Sequence, residues 1–204
     1  MNPAIDFRLY VVTHRHLCAP RALTDVVCDA CDAGVRAVQL REKDLGGDEL
    51  GALAATLHDI LSARDATLFI NQSHAVPGVE NSGLHFPESL AITRPGPGVI
   101  VGASTHSRES AQRAARDGAD FITFGPVYET PAKRRYGEPQ GLDRLAEVAA
   151  AVDLPVFAVG GVTPERTRAC LDAGARGVAV MAAVMAADEV AAVVRDFEKV
   201  LGAL

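Results

Sequence analysis

The residues of this chain whose types and spacing could do chemistry fall in a few short segments. In Gln39-Leu40-Arg41-Glu42-Lys43, alternation along an extended chain puts Gln39 and Arg41 on one side. With Lys43 beyond them they read either as a basic rim for phosphate oxygens or as a charged strand end meeting water. Val159-Gly160-Gly161-Val162-Thr163-Pro164 joins two glycines, which let backbone approach a ligand, to a helix start whose N–H groups suit an anion. Ala182-Ala183, small residues after Met181, leave backbone N–H groups accessible in the same way. Between Gly125 and Gly137 stand Lys133, Arg134 and Arg135, three cations in one loop, which reads as a basic lid. His85 and His106 each follow an apolar run. A histidine beside a phosphate site can carry protons near neutral pH, although each one singly also suits a hydrogen-bonded structural role. No HExxH, P-loop or nucleophile-elbow pattern occurs.

These segments need elements that bring them together. Apolar runs at 8–13, 35–41, 67–71, 83–86, 98–103, 120–124, 155–159 and 177–181 read as strands. Helical patterns run from Pro20 to Ala33, Asp48 to Ala63, Pro87 to Ile92, Ser107 to Asp117, Leu142 to Val152, Pro164 to Ala173 and Asp188 to Leu201. Asp32-Ala33-Gly34, Asp117-Gly118-Ala119 and Asp172-Ala173-Gly174 repeat a glycine between helix and following strand. Eight strand-then-helix units in one domain of 204 residues predict a single α/β (β/α)8 TIM barrel, with function at the C-terminal ends of the strands. An open doubly wound sheet is the runner-up, but Thr13-His14-Arg15-His16 lacks the Gly-rich turn expected after its first strand.

Composition narrows the function. The chain is 49% hydrophobic with no Trp and 5% aromatics, so Ala, Val, Leu and Ile must build most of the core. A net charge of −6 argues against nucleic acid as a partner, while a small anion needs only a local basic cluster. No apolar run suits a membrane span and the N-terminus reads as no leader, so the expectation is a cytoplasmic protein. Cys18, Cys28, Cys31 and Cys170 are too few for a disulfide scaffold. Cys28-Asp-Ala-Cys31 has redox spacing but sits within a helical pattern, and reads as structural thiols.

Taken together, these strand-end segments resemble the thiamine-phosphate synthase and thiazole tautomerase superfamily of phosphate-binding barrels. The matching pieces, in order, are Leu9 to Thr13, Val38 to Lys43, Phe69-Ile70-Asn71, Gly83-Leu84-His85, Val101 to Ser107, Gly125 to Lys133, Ala158 to Val162 and Gly177 to Met181. In the synthase branch the resemblance implies the joining of a hydroxymethylpyrimidine diphosphate to a thiazole phosphate, with cations and Mg²⁺ holding the departing diphosphate. It would put Gln39, Arg41, Lys43, Asn71, Ser104, Thr130 and Lys133 on the diphosphate and pyrimidine side. Gly160, Gly161 and the backbone of Ala182 and Ala183 would hold the thiazole phosphate.

Synthases of the family carry an acidic residue after the Asn that ends the third strand, and acids after the fourth. This chain has Gln72, with Glu88 the nearby carboxylate. His85-Phe86-Pro87-Glu88 and the lid ending Tyr136 to Leu142 look more like the tautomerase branch, which aromatises a carboxylated thiazole phosphate by proton transfer without a metal. The expectation is therefore a thiazole tautomerase-like isomerase with no cofactor and a small phosphorylated thiazole as its partner. His85, His106 and Lys133 are its expected proton carriers, because Pro126 stands where that branch carries a histidine. The alternatives are a Mg²⁺-dependent synthase and a non-catalytic binding protein that kept the phosphate pocket; whether the chain forms a homo-oligomer is left open.

Overall fold

A computed structural model of the chain describes residues 5–72, 82–130 and 138–202. The apolar runs form eight parallel strands of four or five residues: β1 Leu9–Val12, β2 Ala37–Leu40, β3 Thr67–Asn71, β4 Gly83–Phe86, β5 Val101–Thr105, β6 Phe121–Phe124, β7 Val156–Val159 and β8 Gly177–Val180. Each pairs with the next, and β1 pairs with β8, so the sheet closes. The predicted (β/α)8 barrel is the fold of this chain.

Period-two alternation divides every strand between two cores. Outward residues such as Leu9, Val11, Leu68, Ile122 and Val178 pack under the helices. Inward residues build a second core of Tyr10, Phe69, Phe121 and Phe157 standing on Phe7. Half of the chain's ten Phe and Tyr residues are thus spent inside the barrel. The register shows how they fit: Tyr10 lies beside Ala37, Phe69 beside Gly83, Phe121 beside Gly102 and Phe157 beside Gly177. Every large ring has a small residue on the neighbouring strand, and a Cβ at Gly83 or Gly102 would collide with the ring next to it. Centroid separations of 5.2–6.3 Å among these rings, mostly edge-on or tilted, match favourable aromatic packing. Two residues further along β2 to β6 the inward layer turns polar, with Gln39, Asn71, His85, Ser104 and Thr123, while β1, β7 and β8 present Val12, Val159 and Ala179.

The helices are α1 Arg15–Cys18, α2 Leu23–Asp32, α3 Gly47–Ser62, α4 Arg108–Arg116, α5 Gly141–Ala151, α6 Pro164–Asp172, α7 Ala182–Met185 and α8 Val190–Leu201. Three expectations change. The helix predicted from Pro20 starts at Leu23, after the short α1. Pro87 to Ile92 forms a turn and irregular chain rather than a helix, and Arg94 ties this connection down through the Gly118 carbonyl and the Asp120 carboxylate, both at 2.8 Å. The fifth strand begins at Val101, not Gly98, and runs on to Thr105. Cys28 and Cys31 lie on α2 as free thiols, and burial pushes the Cys31 thiol up to about 11, which leaves little thiolate at neutral pH.

Candidate active site

The polar inward layer floors a cavity of about 230 Å³ at the C-terminal ends of the strands. From β2 come Gln39 and, just beyond, Arg41 and Lys43; from β3 Asn71; from β4 His85; from β5 Ser104 and then His106. Gly125 and Pro126 after β6, Gly160 after β7, and Ala179 and Met181 from β8 close the other side. Eight residues singled out from sequence therefore meet in one cavity, brought there because parallel strands all end on the same face. Thr130, Gly161, Ala182 and Ala183 stand outside its lining, and Lys133 lies outside the described residues.

Gln39 is 3% exposed and its Nε2 has no hydrogen-bond partner among the described residues. A buried amide donor left unsatisfied is costly unless a ligand accepts from it. Arg41 is oriented by its backbone, whose N–H donates to Thr13 Oγ1 at 2.9 Å. Lys43 is flanked by two carboxylates that Arg15 engages. The Arg15 backbone N–H donates to both oxygens of Glu42, at 3.0 and 3.2 Å, and its guanidinium forks onto Asp44 at 2.6 and 2.8 Å. Hydrogen bonds from Arg15 and then His16 hold the Asp44 carboxyl well below the usual carboxylate range. The acids on either side of Lys43 thus already have partners on the first strand's loop.

His85 is 1% exposed. Its Nδ1 lies 3.2 Å from Tyr10 Oη and its Nε2 2.9 Å from Ser104 Oγ. Burial, reinforced by the nearby Arg41 charge, pulls its pKa down to about 3, so the ring is neutral and fixed near pH 7. That suits a hydrogen-bond bridge and not the proton carrier expected from sequence. His106 is half-exposed, meets the Gly125 carbonyl through Nδ1 and stands 3.9 Å from Glu88 through Nε2; Arg113 lies 3.7 Å from the same carboxylate.

The two glycines after β7 do something other than leave room for a ligand. Gly160 and Gly161 have φ of +96° and +66°. A Cβ on Gly160 would sit 2.6 Å from Pro126 Cα, and one on Gly161 2.6 Å from the Glu129 carbonyl. The loop after β6 presses directly onto them, with Val127 and Tyr128 N–H donating to the carbonyls of Val159 and Gly160 at 2.8 and 3.0 Å. Gly160 keeps one side open to the cavity. At the end of β8, Ala182 opens α7, where the first N–H groups of a helix lack internal partners.

Fold and site together define a (β/α)8 barrel whose catalytic-face cavity is lined by cations, amides and hydroxyls suited to an anionic ligand. The sequence pattern of the family described as thiamine monophosphate synthase matches residues 9–184, and the chain belongs to that family. It is 37% identical to the thiamine-phosphate synthase of Roseiflexus castenholzii over 92% of this chain and 85% of that one. It is 35% identical to that of Moorella thermoacetica over 95% of each. Among solved structures, a thiamine phosphate pyrophosphorylase from Pyrococcus furiosus superimposes with a TM-score of 0.83 at 30% identity, covering 96% of this chain and 95% of its own. These relatives correct the expectation of a thiazole tautomerase. They span the whole barrel and are named for the synthase reaction, a group transfer rather than an isomerisation. The features that suggested the tautomerase, Gln72 and the His85 to Glu88 segment, are local: Gln72 Nε2 donates to the Ile70 carbonyl at 3.4 Å, and Glu88 turns towards His106 and Arg113.

Proposed function

We propose that this chain is a thiamine-phosphate synthase, joining a hydroxymethylpyrimidine diphosphate to a thiazole phosphate. In this reaction the bond between the pyrimidine's methylene carbon and the diphosphate oxygen breaks, diphosphate leaves with the electron pair, and the methylene carbon bonds to the thiazole ring. The barrier is dominated by negative charge gathering on the leaving group, so donors placed on one side are what the chemistry needs. The observation that carries the reading is the wall formed by Gln39, Arg41, Lys43, Asn71 and Ser104, with the Gln39 amide buried and lacking an acceptor among the described residues.

In this reading Arg41 and Lys43 take the diphosphate oxygens, Ser104 and Asn71 add neutral donors, and Gln39 meets the pyrimidine. The family resemblance assigns Thr130 and Lys133 to the same substrate, Lys133 lying outside the described residues. The thiazole phosphate sits against Gly160 and Gly161 and the N–H groups of Ala182 and Ala183, where the start of α7 favours negative charge. Among the described residues no cluster of three or more acids, histidines or cysteines could cage a metal. Glu88, the one carboxylate lining the cavity among the described residues, and the Asn71 amide nevertheless fit Mg²⁺, an ion that binds through one or two carboxylates plus substrate phosphates. When bound there, Mg²⁺ supplies further neutralisation of the departing diphosphate.

The test supplies the purified protein with both substrates and Mg²⁺ and follows diphosphate and thiamine phosphate. Both should appear together, and neither without the thiazole phosphate. Absence of both products at high enzyme concentration would retire the reading.

A further inference from the structure

Tyr10 sits beneath this wall and His85 lines the cavity beside it, and the function just described gives neither a ligand contact. Tyr10 is fully buried, and its hydroxyl makes one hydrogen bond among the described residues, to His85 Nδ1. That single partner decides a direction. If Nδ1 carried the proton, the fully buried Tyr10 O–H would have no acceptor among the described residues, an arrangement buried donors avoid. Tyr10 therefore donates to Nδ1, the proton of the neutral imidazole resides on Nε2, and Nε2–H donates to Ser104 Oγ, 2.9 Å away. With one lone pair of Ser104 occupied by that N–H, its own hydrogen must leave in another direction, and Ser104 lines the cavity.

We propose that Tyr10 and His85 are positioning residues that set the polarity of Ser104, making its hydroxyl a committed donor towards an anionic oxygen in the cavity. The assignment rests on the synthase reading only in taking that oxygen to belong to a diphosphate. The surroundings hold the bridge in place. The His85 ring stacks on Tyr10 at 5.7 Å between centroids and tilts against Phe121 at 5.9 Å. On the neighbouring strand Gly102 supplies the space, since a Cβ there would lie 2.7 Å from His85 Nδ1. The depressed pKa of His85 serves the same end, because an imidazolium would carry a proton on Nδ1 and reverse the first link. Preorganised donors of this kind need no reorientation as charge develops on a leaving group.

Histidine ¹⁵N NMR of the folded wild-type protein at neutral pH reads the direction without any substrate, with His85→Gln identifying the resonances. The Nε2–H tautomer is expected; an Nδ1–H tautomer or an imidazolium would overturn the proposal whether or not the protein turns over. The consequence is read by calorimetric binding of inorganic diphosphate with Mg²⁺. Tyr10→Phe should lose the tautomer preference and about tenfold to a hundredfold in affinity, the worth of one hydrogen bond to a charged group. Ser104→Ala should lose about as much, and the double variant no more than Ser104→Ala alone. Losses that add, an unaltered affinity in Tyr10→Phe, or no diphosphate binding by the wild type would each overturn the positioning role. Should Tyr10→Phe fail to fold, His85→Gln, which keeps an N–H donor near the Nε2 position, must bind diphosphate more tightly than His85→Leu; equal affinities would overturn it too. A protein with the expected tautomer and affinities that makes no thiamine phosphate would withdraw the synthase reading and leave this one standing.

Discussion

Arg166 lies over the ring of Tyr128, 4.7 Å from its centroid, and the same guanidinium donates to the Gly161 carbonyl at 2.7 Å. One side chain on the first turns of α6 thus fastens the loop after β6 to the loop after β7. Those loops meet where the proposed thiazole phosphate would sit, and nothing else about Arg166, an exposed residue, calls for its presence there. Arg166→Ala should therefore raise the KM for thiazole phosphate by about twofold to fivefold, the contribution of an exposed cation–π contact, with kcat little altered. Steady-state kinetics with the diphosphate substrate saturating provides the check, and an unaltered KM would separate this contact from the site.

Gly160→Ala tests the same junction from below. Its φ of +96° and the 2.6 Å approach to Pro126 Cα leave a methyl group no room, so one of two backbones must move. The expected cost is about 1–3 kcal/mol in urea unfolding, together with weakened phosphate binding. A variant of wild-type stability would mean the loops part easily.

His85 should leave a signature in the pH dependence of stability. Its folded pKa of about 3 lies below the ordinary value of 6.5, so between these pH values the unfolded chain binds the extra proton. Stability contributed by keeping the ring neutral is therefore full above pH 6.5 and is lost as pH falls through the window. Carboxylates titrate in the lower part of the same range, which makes the difference between wild type and His85→Gln the quantity to measure. The wild type should fall more steeply from pH 6.5 to 4.5, by up to about one proton's worth of slope.

Arg15→Ala should release both acids beside Lys43. Glu42 is buried and would keep the backbone N–H of residue 15 but lose the guanidinium, at a cost of about 1–3 kcal/mol. Asp44 is exposed and keeps its contact with His16, so it would cost little in stability, yet without the Arg15 charge it would compete for Lys43. Diphosphate affinity should fall, and Arg15→Lys should restore part of it; calorimetric titration distinguishes the three proteins.

Glu88→Gln should raise the Mg²⁺ concentration needed for half-maximal diphosphate release by about tenfold, since one carboxylate is a large share of the ligands such a site offers. The measurement is a metal titration at fixed substrate. An unshifted midpoint would place the ion on substrate oxygens alone.

Most of the barrel is visible in the sequence because local signals carry it. Short apolar runs, most of them with β-branched residues, mark all eight strands, and the edges of seven lie within two residues of their predicted positions. The exception, β5, is preceded by Val99 and Ile100, apolar residues that extend the run before the paired strand begins, the Ile100 carbonyl accepting from the Leu84 N–H at 2.8 Å. Helices α1 and α7 have four residues each, too few for a hydrophobic period to show. Segment 87–92 carries a Pro-Glu start but no apolar face to follow it. The site is half legible for a related reason. Strand ends announce Gln39, Arg41 and Lys43 on their own, whereas the bridge from Tyr10 to His85 joins residues 75 positions apart on strands that do not pair. Gly160 and Gly161 were conspicuous, but the loop that needs their missing side chains lies more than thirty residues earlier, and no local pattern reveals it. Scarce aromatics gave the one available hint, since a chain with so few rings places half of them in one stack.

That stack ends on Phe7, whose ring meets those of Tyr10, Phe69, Phe121 and Phe157 at once. The barrel is consequently a cup with a solid base, and all molecular traffic uses the rim. In the proposed synthase reaction both substrates and both products would therefore share that one opening at the C-terminal ends of the strands.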